Sequence, residues 1–402
     1  MKLILSVEAL TPPLSGIGRY NWELAQRMRH HPEIDSIDFY RNGRWIADPA
    51  SLLDPATKKH PFHIPPPGWL RKINARIKCH GAVFHGPNFF LPPCADIGVV
   101  TIHDLSVFKF PETHPAERIK HFERDFSRSM DMATHLITDT ETVRQEVIEF
   151  LGWPEDRISS VSLGVSEKFS PHSPAALELV LSHYGLRSGG YCLCVSTLEP
   201  RKRIDRLLDA YALLPLTLRM RFPLTLIGPE GWLNESLLQT ISQGRRAGWL
   251  KYLGFVPEDD LPLLFAGARL FLYPSIYEGL GLPVIEAMAS GVPVVTSNQS
   301  CLPEVTQGAA LLIDPDDIES FSLALTQGLE DEEWRSKSQK KDLRYPLTIN
   351  GQSASLAQSR FIIRPCVTQR VRILYICFVQ KNNMIILNRF LPKSLNLQTH
   401  QQ

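Results

Sequence analysis

The residues best placed to do chemistry lie in one stretch, Tyr273 to Val295, reading YPSIYEGLGLPVIEAMASGVPVV. Glu278 sits in a loop after the apolar run Leu270 to Tyr273. Gly279 and Gly281 follow, Pro283 stands where a helix would begin, and Glu286 lies one turn inside it. Proline is pre-set for a first helical position and loses no hydrogen bond there. The free amides of a helix start suit a phosphate, and glycines beside them let a ligand come close. The stretch therefore offers an anion site between two carboxylates, although two glutamates eight residues apart also describe an ordinary helix with one buried and one solvated acid. A second set of charges follows the apolar run YCLCV (Tyr191 to Val195). There Glu199, Pro200, Arg201 and Lys202 precede a helix expected from about Ile204. An arginine fork and a lysine point charge at a helix start are suited to a diphosphate, and equally to a solvated helix end. Arg203 and Arg206 read as surface residues.

The elements that must position these groups are strands feeding loops. LILSV (Leu3 to Val7) is a continuous apolar run of buried parallel-strand type. The loop TPPLSGIGRY follows, and a helix is expected from about Asn21 to Arg29. Gly16 and Gly18 would let the chain pass a ligand closely, Arg19 could add charge, and a plain tight turn fits the same letters. AVFHGPNFFLPP and GVVTIHDLSVF are strand-then-loop units that deliver His85 and His103. Ligand groups in open α/β sheets gather at the carboxyl ends of strands. For each histidine the competing reading is a satisfied core residue. Asp104, beside His103, is a candidate for fixing its tautomer. Thr140 or Thr142 is expected to cap the helix in His135 to Gly152. Pro171, Pro174 and a polar stretch read as a linker, and a helix is expected from Ile318 to about Gln339.

Composition bounds the rest. The chain has 402 residues, 44% hydrophobic and 21% charged, with a net charge of +1. Two globular domains are the natural prior, and nothing suggests a general nucleic-acid binder. Seven cysteines without regular spacing fit a reducing cytoplasm. Cys192 and Cys194 read as small core residues. Met1 to Ala9 reads as a first strand, not a signal peptide, and no run is long and apolar enough to span a membrane. Charge is uneven: residues 336–402 carry eleven Lys/Arg and one acid, Asp342. That change reads as an altered reading frame or as a natural basic membrane-binding tail. WLRKINARIKCH (Trp69 to His80) places Trp69, Leu70, Ile73 and Ile77 at helical spacing among basic residues. It reads either as a solvated surface helix or as one lying on an anionic membrane.

EGLGLPVIEAMASGVPVV, with Glu278-x7-Glu286, resembles the retaining glycosyltransferases of family 4. These are enzymes of the GT-B fold that move a sugar from a nucleotide diphosphate to an acceptor. The resemblance covers about residues 1 to 335. It implies an α/β protein of two Rossmann-like, doubly wound domains facing across a cleft: 1–165 on the acceptor side, a linker at 166–188, 189–335 binding the nucleotide-sugar, and an atypical tail at 336–402. It implies that Glu286 binds the ribose and that Glu278 and His103 lie near the donor sugar. The amides of Gly279, Leu280, Gly281 and Leu282 hold the diphosphate. STLEPRKR resembles the family's phosphate-binding motif, so Lys202 falls on its lysine. Thr197 stands where an arginine is frequent, leaving Arg201 as the second charge. Gly16 and Gly18 would face the cleft, Gly228 would approach the nucleotide, and Phe255 and Val256 would bracket the base. No metal is implied, and Asp314-Pro315-Asp316 reads as a turn. SGIGRY with STLEPRKR looks most like enzymes of O-antigen and polysaccharide assembly. GDP-mannose is thus the expected donor and a glycan or lipid-linked acceptor the expected partner, in the cytoplasm at the inner face of the plasma membrane. The alternatives are a nucleotide-sugar-binding protein without transfer, or a UDP-sugar 2-epimerase of the same fold.

Overall fold

The computed structural model describes residues 1–54, 67–232 and 234–342, which belong to one compact unit. The helix expected over Trp69 to His80 lies within them, whereas the basic tail from residue 343 onward lies outside them. In chain order the first half runs β1 (Lys2–Ser6), α1 (Gly16–Met28), β2 (Ser36–Arg41), β3 (Arg44–Ile46), α2 (Gly68–Cys79), β4 (Val83–Gly86), β5 (Ile97–Ile102), α3 (Ser106–Lys109), α4 (Ala116–Met132), β6 (Ala133–Thr138), α5 (Glu141–Leu151) and β7 (Ile158–Ser160). The second half runs α6 (Pro174–His183), β8 (Cys192–Val195), α7 (Ile204–Leu213), α8 (Leu216–Arg221), β9 (Leu224–Ile227), α9 (Glu235–Arg246), β10 (Leu250–Gly254), α10 (Leu261–Ala266), β11 (Leu270–Tyr273), α11 (Leu282–Ala289), β12 (Val294–Ser297), α12 (Leu302–Thr306), β13 (Leu311–Ile313), α13 (Ile318–Glu330) and α14 (Glu332–Asp342).

Among the described residues the strands form two sheets. Their orders are β3-β2-β1-β4-β5-β6-β7 and β10-β9-β8-β11-β12-β13. All pairings are parallel except β2 with β3. Each order reverses beside its first strand, which leaves a crevice at the carboxyl ends of the strands. The strands read as unbroken apolar runs because helices cover both faces: Leu3, Ile4 and Leu5 in β1, and Cys192, Leu193 and Cys194 in β8, are all buried. The two cysteines are core residues, as expected.

Two boundaries differ from the sequence reading. The first helix starts at Gly16, not near Asn21, because Ser15 caps it and accepts a hydrogen bond from the Gly18 amide at 3.1 Å. Gly16 and Gly18 thus lie in its first turn. The single helix expected over 318–339 is two, α13 and α14, broken at Asp331, where the backbone is extended and the side chain caps Trp334 at 2.9 Å. α14 crosses the compositional change at Ser336 without interruption. Arg335 donates to the carbonyls of Arg269 (2.7 Å) and Gly328 (3.0 Å), and Ser338 donates to that of Ala309 (2.8 Å).

Candidate active site

The loop from β11 to α11 is shaped by its glycines. Gly281, at φ 75°, provides the left-handed step before α11, with Pro283 in the first helical turn. Gly279 lies where a β-carbon would meet the carbonyl oxygen of His103, from the other half of the chain, at 1.9 Å. Side chains pin the loop as well. The Glu278 amide donates to Ser300 Oγ (3.2 Å), which donates back to the Glu278 carbonyl (2.8 Å).

Glu278 is buried among cations. Its Oε1 accepts from Lys202 Nζ at 2.5 Å and from the Tyr273 hydroxyl at 3.0 Å, while its Oε2 lies 3.6 Å from Arg201 Nη1. Burial alone would raise its pKa, but Lys202 and Arg201 outweigh burial and hold it at about 2. Arg201 is itself buried. One Nη donates to Glu199 Oε1 at 2.7 Å and the other to the Tyr277 carbonyl. Glu199, Arg201, Lys202 and Glu278 thus form a closed set of two acids and two cations. Lys202 Nζ donates to Glu278 and to the Tyr273 hydroxyl at 3.1 Å.

Glu286 is set the opposite way. It is buried, with Arg19 Nη1 at 3.5 Å as its ion-pair partner. Its pKa is raised to about 7, chiefly by burial, with Arg19 opposing the rise and Glu258 adding to it. Eight residues apart, one glutamate is held firmly ionised and the other is poised near neutrality.

In the first half, His103 follows β5. Its Nδ1 donates to Asp139 Oδ2 at 2.8 Å and its Nε2 to the Pro87 carbonyl at 2.9 Å. A carbonyl and a carboxylate only accept, so both ring nitrogens face acceptors and the arrangement favours the imidazolium. Burial works against that charge, and Asp139 overcomes it, raising the pKa. The sequence reading gave the orienting role to Asp104, but Asp104 Oδ1 caps the Ser106 amide at 2.8 Å. Asp139 takes the role because β5 and β6 pair in parallel with Ile102 opposite Thr138, which brings the next residues side by side. The signal was present in sequence as an acid directly after a strand. His85 is a core residue: its Nε2 pairs with Thr101 Oγ1 at 2.9 Å, and burial, with the nearby charge of His103, lowers its pKa to about 3.

The remaining candidates divide. Gly228, at φ 140°, is required where a β-carbon would stand 2.0 Å from the Ser196 carbonyl oxygen. A β-carbon on Gly18 would touch the Ala9 carbonyl oxygen at 3.0 Å, whereas Gly16 has open space around it. Phe255 is 69% exposed, while Val256 is packed in the core of the second half. Asp316 pairs with Arg203 (3.4 Å) and Arg206 (3.2 Å), so these arginines brace a turn.

Sequence reasoning missed a line of contacts joining the halves. Thr140 caps α5 and donates to the Gly279 carbonyl at 2.9 Å. Glu304 accepts from the amides of Glu141 and Thr142, both at 2.9 Å, at the start of α5. The Tyr277 hydroxyl accepts from the Leu105 amide (3.0 Å) and donates to Glu146 (2.6 Å). No local periodicity announces such contacts.

Comparison with known proteins agrees with this geometry. Residues 188–343 match the family described as glycosyl transferases group 1. Over 351 residues the chain is 40% identical to O-antigen chain mannosyltransferase B of Escherichia coli, covering 83% of this chain and 92% of that protein. The chain belongs to the group 1 glycosyl transferases. This glycosyltransferase also shares its fold with WaaG, a glycosyltransferase involved in lipopolysaccharide biosynthesis. The TM-score is 0.67 at 17% identity, over 90% of this chain and 99% of that one. It likewise resembles Anabaena HepE, whose structure holds UDP and glucose, at a TM-score of 0.65 and 18% identity over 89% of this chain and all of that one. The architecture is therefore GT-B, as the motifs implied. The family match runs to residue 343, where the sequence resemblance had been followed only to about 335.

Proposed function

We propose that this glycosyltransferase transfers mannose from GDP-mannose, with retention and without a bound metal, to a glycan or lipid-linked acceptor in cell-surface polysaccharide assembly. The observation that carries the donor reading is the 40% identity to an O-antigen mannosyltransferase over nearly its whole length. In this reading residues 189–335 bind the donor and residues 1–165 face the acceptor. Glu286 accepts the ribose hydroxyls. Lys202 leaves Glu278 for the diphosphate, joined by the amides of Gly279 to Leu282, and Arg201 adds positive charge from behind Glu278. Charge developing on the departing diphosphate meets donors that are already oriented. Glu278, freed from Lys202, faces the sugar as it gains oxocarbenium character. The leaving phosphate takes the acceptor proton on the same face, so no protein nucleophile is needed. The imidazolium of His103 adds positive charge on the other wall.

The test is donor hydrolysis and nucleotide-induced melting shift with GDP-mannose, UDP-glucose and UDP-GlcNAc, alongside Glu286→Ala. A response to GDP-mannose alone, lost in the variant, is expected. A response to a UDP-sugar alone overturns the donor. Release of an epimerised free sugar would favour the epimerase, and binding without transfer would favour the non-catalytic reading.

We also place α2 against the inner face of the plasma membrane. Its Trp69 and Ile77 are 62% and 70% exposed, with Leu70 and Ile73 also exposed, and Arg71, Lys72, Arg76 and Lys78 share the helix. An apolar strip among basic residues complements an anionic lipid surface. No helix among the described residues is long and apolar enough to cross a membrane. Co-sedimentation with phosphatidylglycerol vesicles, weaker with phosphatidylcholine and reduced in Trp69→Ala/Ile73→Ser, is expected. Equal sedimentation of wild type and variant sinks the assignment.

A further inference from the structure

The cations around Glu278 and Glu286 fall into two groups. Arg201 and Lys202 both serve Glu278 from the second half of the chain. Arg19 comes from the first half, on the opening turn of α1, and reaches across to two carboxylates of the second. Its Nη1 is 3.5 Å from Glu286 Oε1 and its Nε is 3.3 Å from Glu258 Oε1. These are long contacts for an arginine–carboxylate pair, which shortens to about 2.8 Å when committed. Arg19 is about a third exposed and Glu258 is 60% exposed, while Glu286 is nearly closed to solvent. Arg19 is thus loosely held, at the one buried carboxylate that the proposed reading reserves for the donor's ribose.

We propose that Arg19 is a specificity and positioning residue that reports donor binding across the cleft. A nucleoside diphosphate whose ribose hydroxyls take Glu286 displaces Arg19 from it, and the guanidinium, still steadied by Glu258, turns to a diphosphate oxygen. The inference rests on Glu286 binding the ribose. It gives one arginine two successive tasks. While paired with Glu286 it favours the ionised form of that buried carboxyl against burial and Glu258, so that the carboxylate can accept hydrogen bonds from hydroxyls. Once released, it joins the first half of the chain to the donor, so that the acceptor side closes only over a bound diphosphate. A monophosphate, which lacks the outer phosphate, engages it less.

The charged groups facing Glu286 are Arg19 from α1 and Glu258 from the loop after β10. Removing Arg19 leaves Glu258 unopposed, so Glu286 protonates at a higher pH and ribose binding weakens there. The sign is fixed: affinity that depends on the Glu286 carboxylate rises with pH, and without Arg19 that rise moves upward.

The experiment is calorimetric titration of GDP and of GMP into the full chain at several pH values between 6 and 9, for wild type, Arg19→Met, Arg19→Lys and Glu286→Ala. Arg19→Met is expected to weaken GDP by about tenfold or more, the scale of one charge-assisted contact. It should weaken GMP less and move the pH midpoint for GDP upward. Arg19→Lys, which keeps the charge but not the fork, is expected to restore the midpoint while recovering only part of the affinity. Arg19→Met and Arg19→Lys that both match wild type, beside a Glu286→Ala that loses GDP, would overturn the role of Arg19 alone. A Glu286→Ala that keeps full GDP affinity would overturn the ribose assignment, and the inference with it. Should Arg19→Met fold poorly, the pH midpoint and the GDP-to-GMP ratio of Arg19→Lys decide the matter.

Discussion

Gly279 and His103 touch backbone to backbone: a β-carbon at position 279 would stand 1.9 Å from the His103 carbonyl oxygen. One residue of the loop between β11 and α11 thereby limits how closely the two halves of the enzyme approach. Gly279→Ala should hold them apart by the order of an ångström. A misplacement of that size costs about 100-fold in turnover. Steady-state kinetics with small-angle scattering checks this, and a compact, fully active variant would refute it.

Lys202→Met leaves Glu278 buried with the Tyr273 hydroxyl and, at 3.6 Å, the more distant Arg201. Breaking a buried pair from one side costs about 3–5 kcal/mol. The double variant Lys202→Met/Glu278→Leu should regain most of that stability while remaining inactive, as chemical denaturation and activity assays will show. Glu278 has its pKa lowered from 4.5 to about 2. Its ion pairing therefore stabilises the fold fully above about pH 5 and is lost as pH falls towards 2. Lys202→Met should flatten that acid limb.

Glu286 carries the opposite sign. Its folded pKa is raised from 4.5 to about 7, so the folded state holds a proton that the unfolded chain releases. The buried acid costs nothing below about pH 4 and increasingly more as pH rises to 7, up to roughly 3 kcal/mol. Glu286→Gln should therefore melt higher than wild type at pH 8 and the same at pH 4, while losing nucleotide affinity. A melting temperature at pH 8 equal to or below that of wild type would contradict the burial argument.

Asp139→Asn removes the countercharge of His103. Nitrogen-15 NMR titration of the imidazole should show the second ring proton lost at a lower pH in the variant than in wild type. Turnover should fall with little change in donor KM, because His103 then presents less positive charge to the cleft. A variant whose ring keeps its second proton to the same pH would mean that the Pro87 carbonyl suffices.

Glu304→Ala withdraws the carboxylate that caps α5 from the other half. Loss of a cap costs about 1 kcal/mol, and here the loss falls on closure as well. Donor hydrolysis should therefore be retained, while transfer to acceptor drops by about fivefold, about 1 kcal/mol in barrier height.

Much of this was legible in the chain. The apolar runs of β1, β8 and β11, the glycine–proline start of α11 with Glu286 one turn inside it, and the placement of Glu278, Lys202 and His103 in loops after strands all follow from periodicity and turn chemistry, which are properties of neighbouring residues. The start of α1 was misplaced because a serine cap recruited the glycines into the helix. Asp139, Tyr277, Glu304 and the reach of Arg19 to Glu286 were not legible as partners. Each pairs with a residue 36 to 267 positions away. The sequence alone determined the apolar strands and a phosphate-suited loop between two acids, because hydrophobic period and helix-start chemistry are local, while the pair of doubly wound sheets followed from the family resemblance. Only the tertiary structure decided which acid is ionised and which cation bridges the cleft. Burial and the distance between charges exist only once the two halves meet.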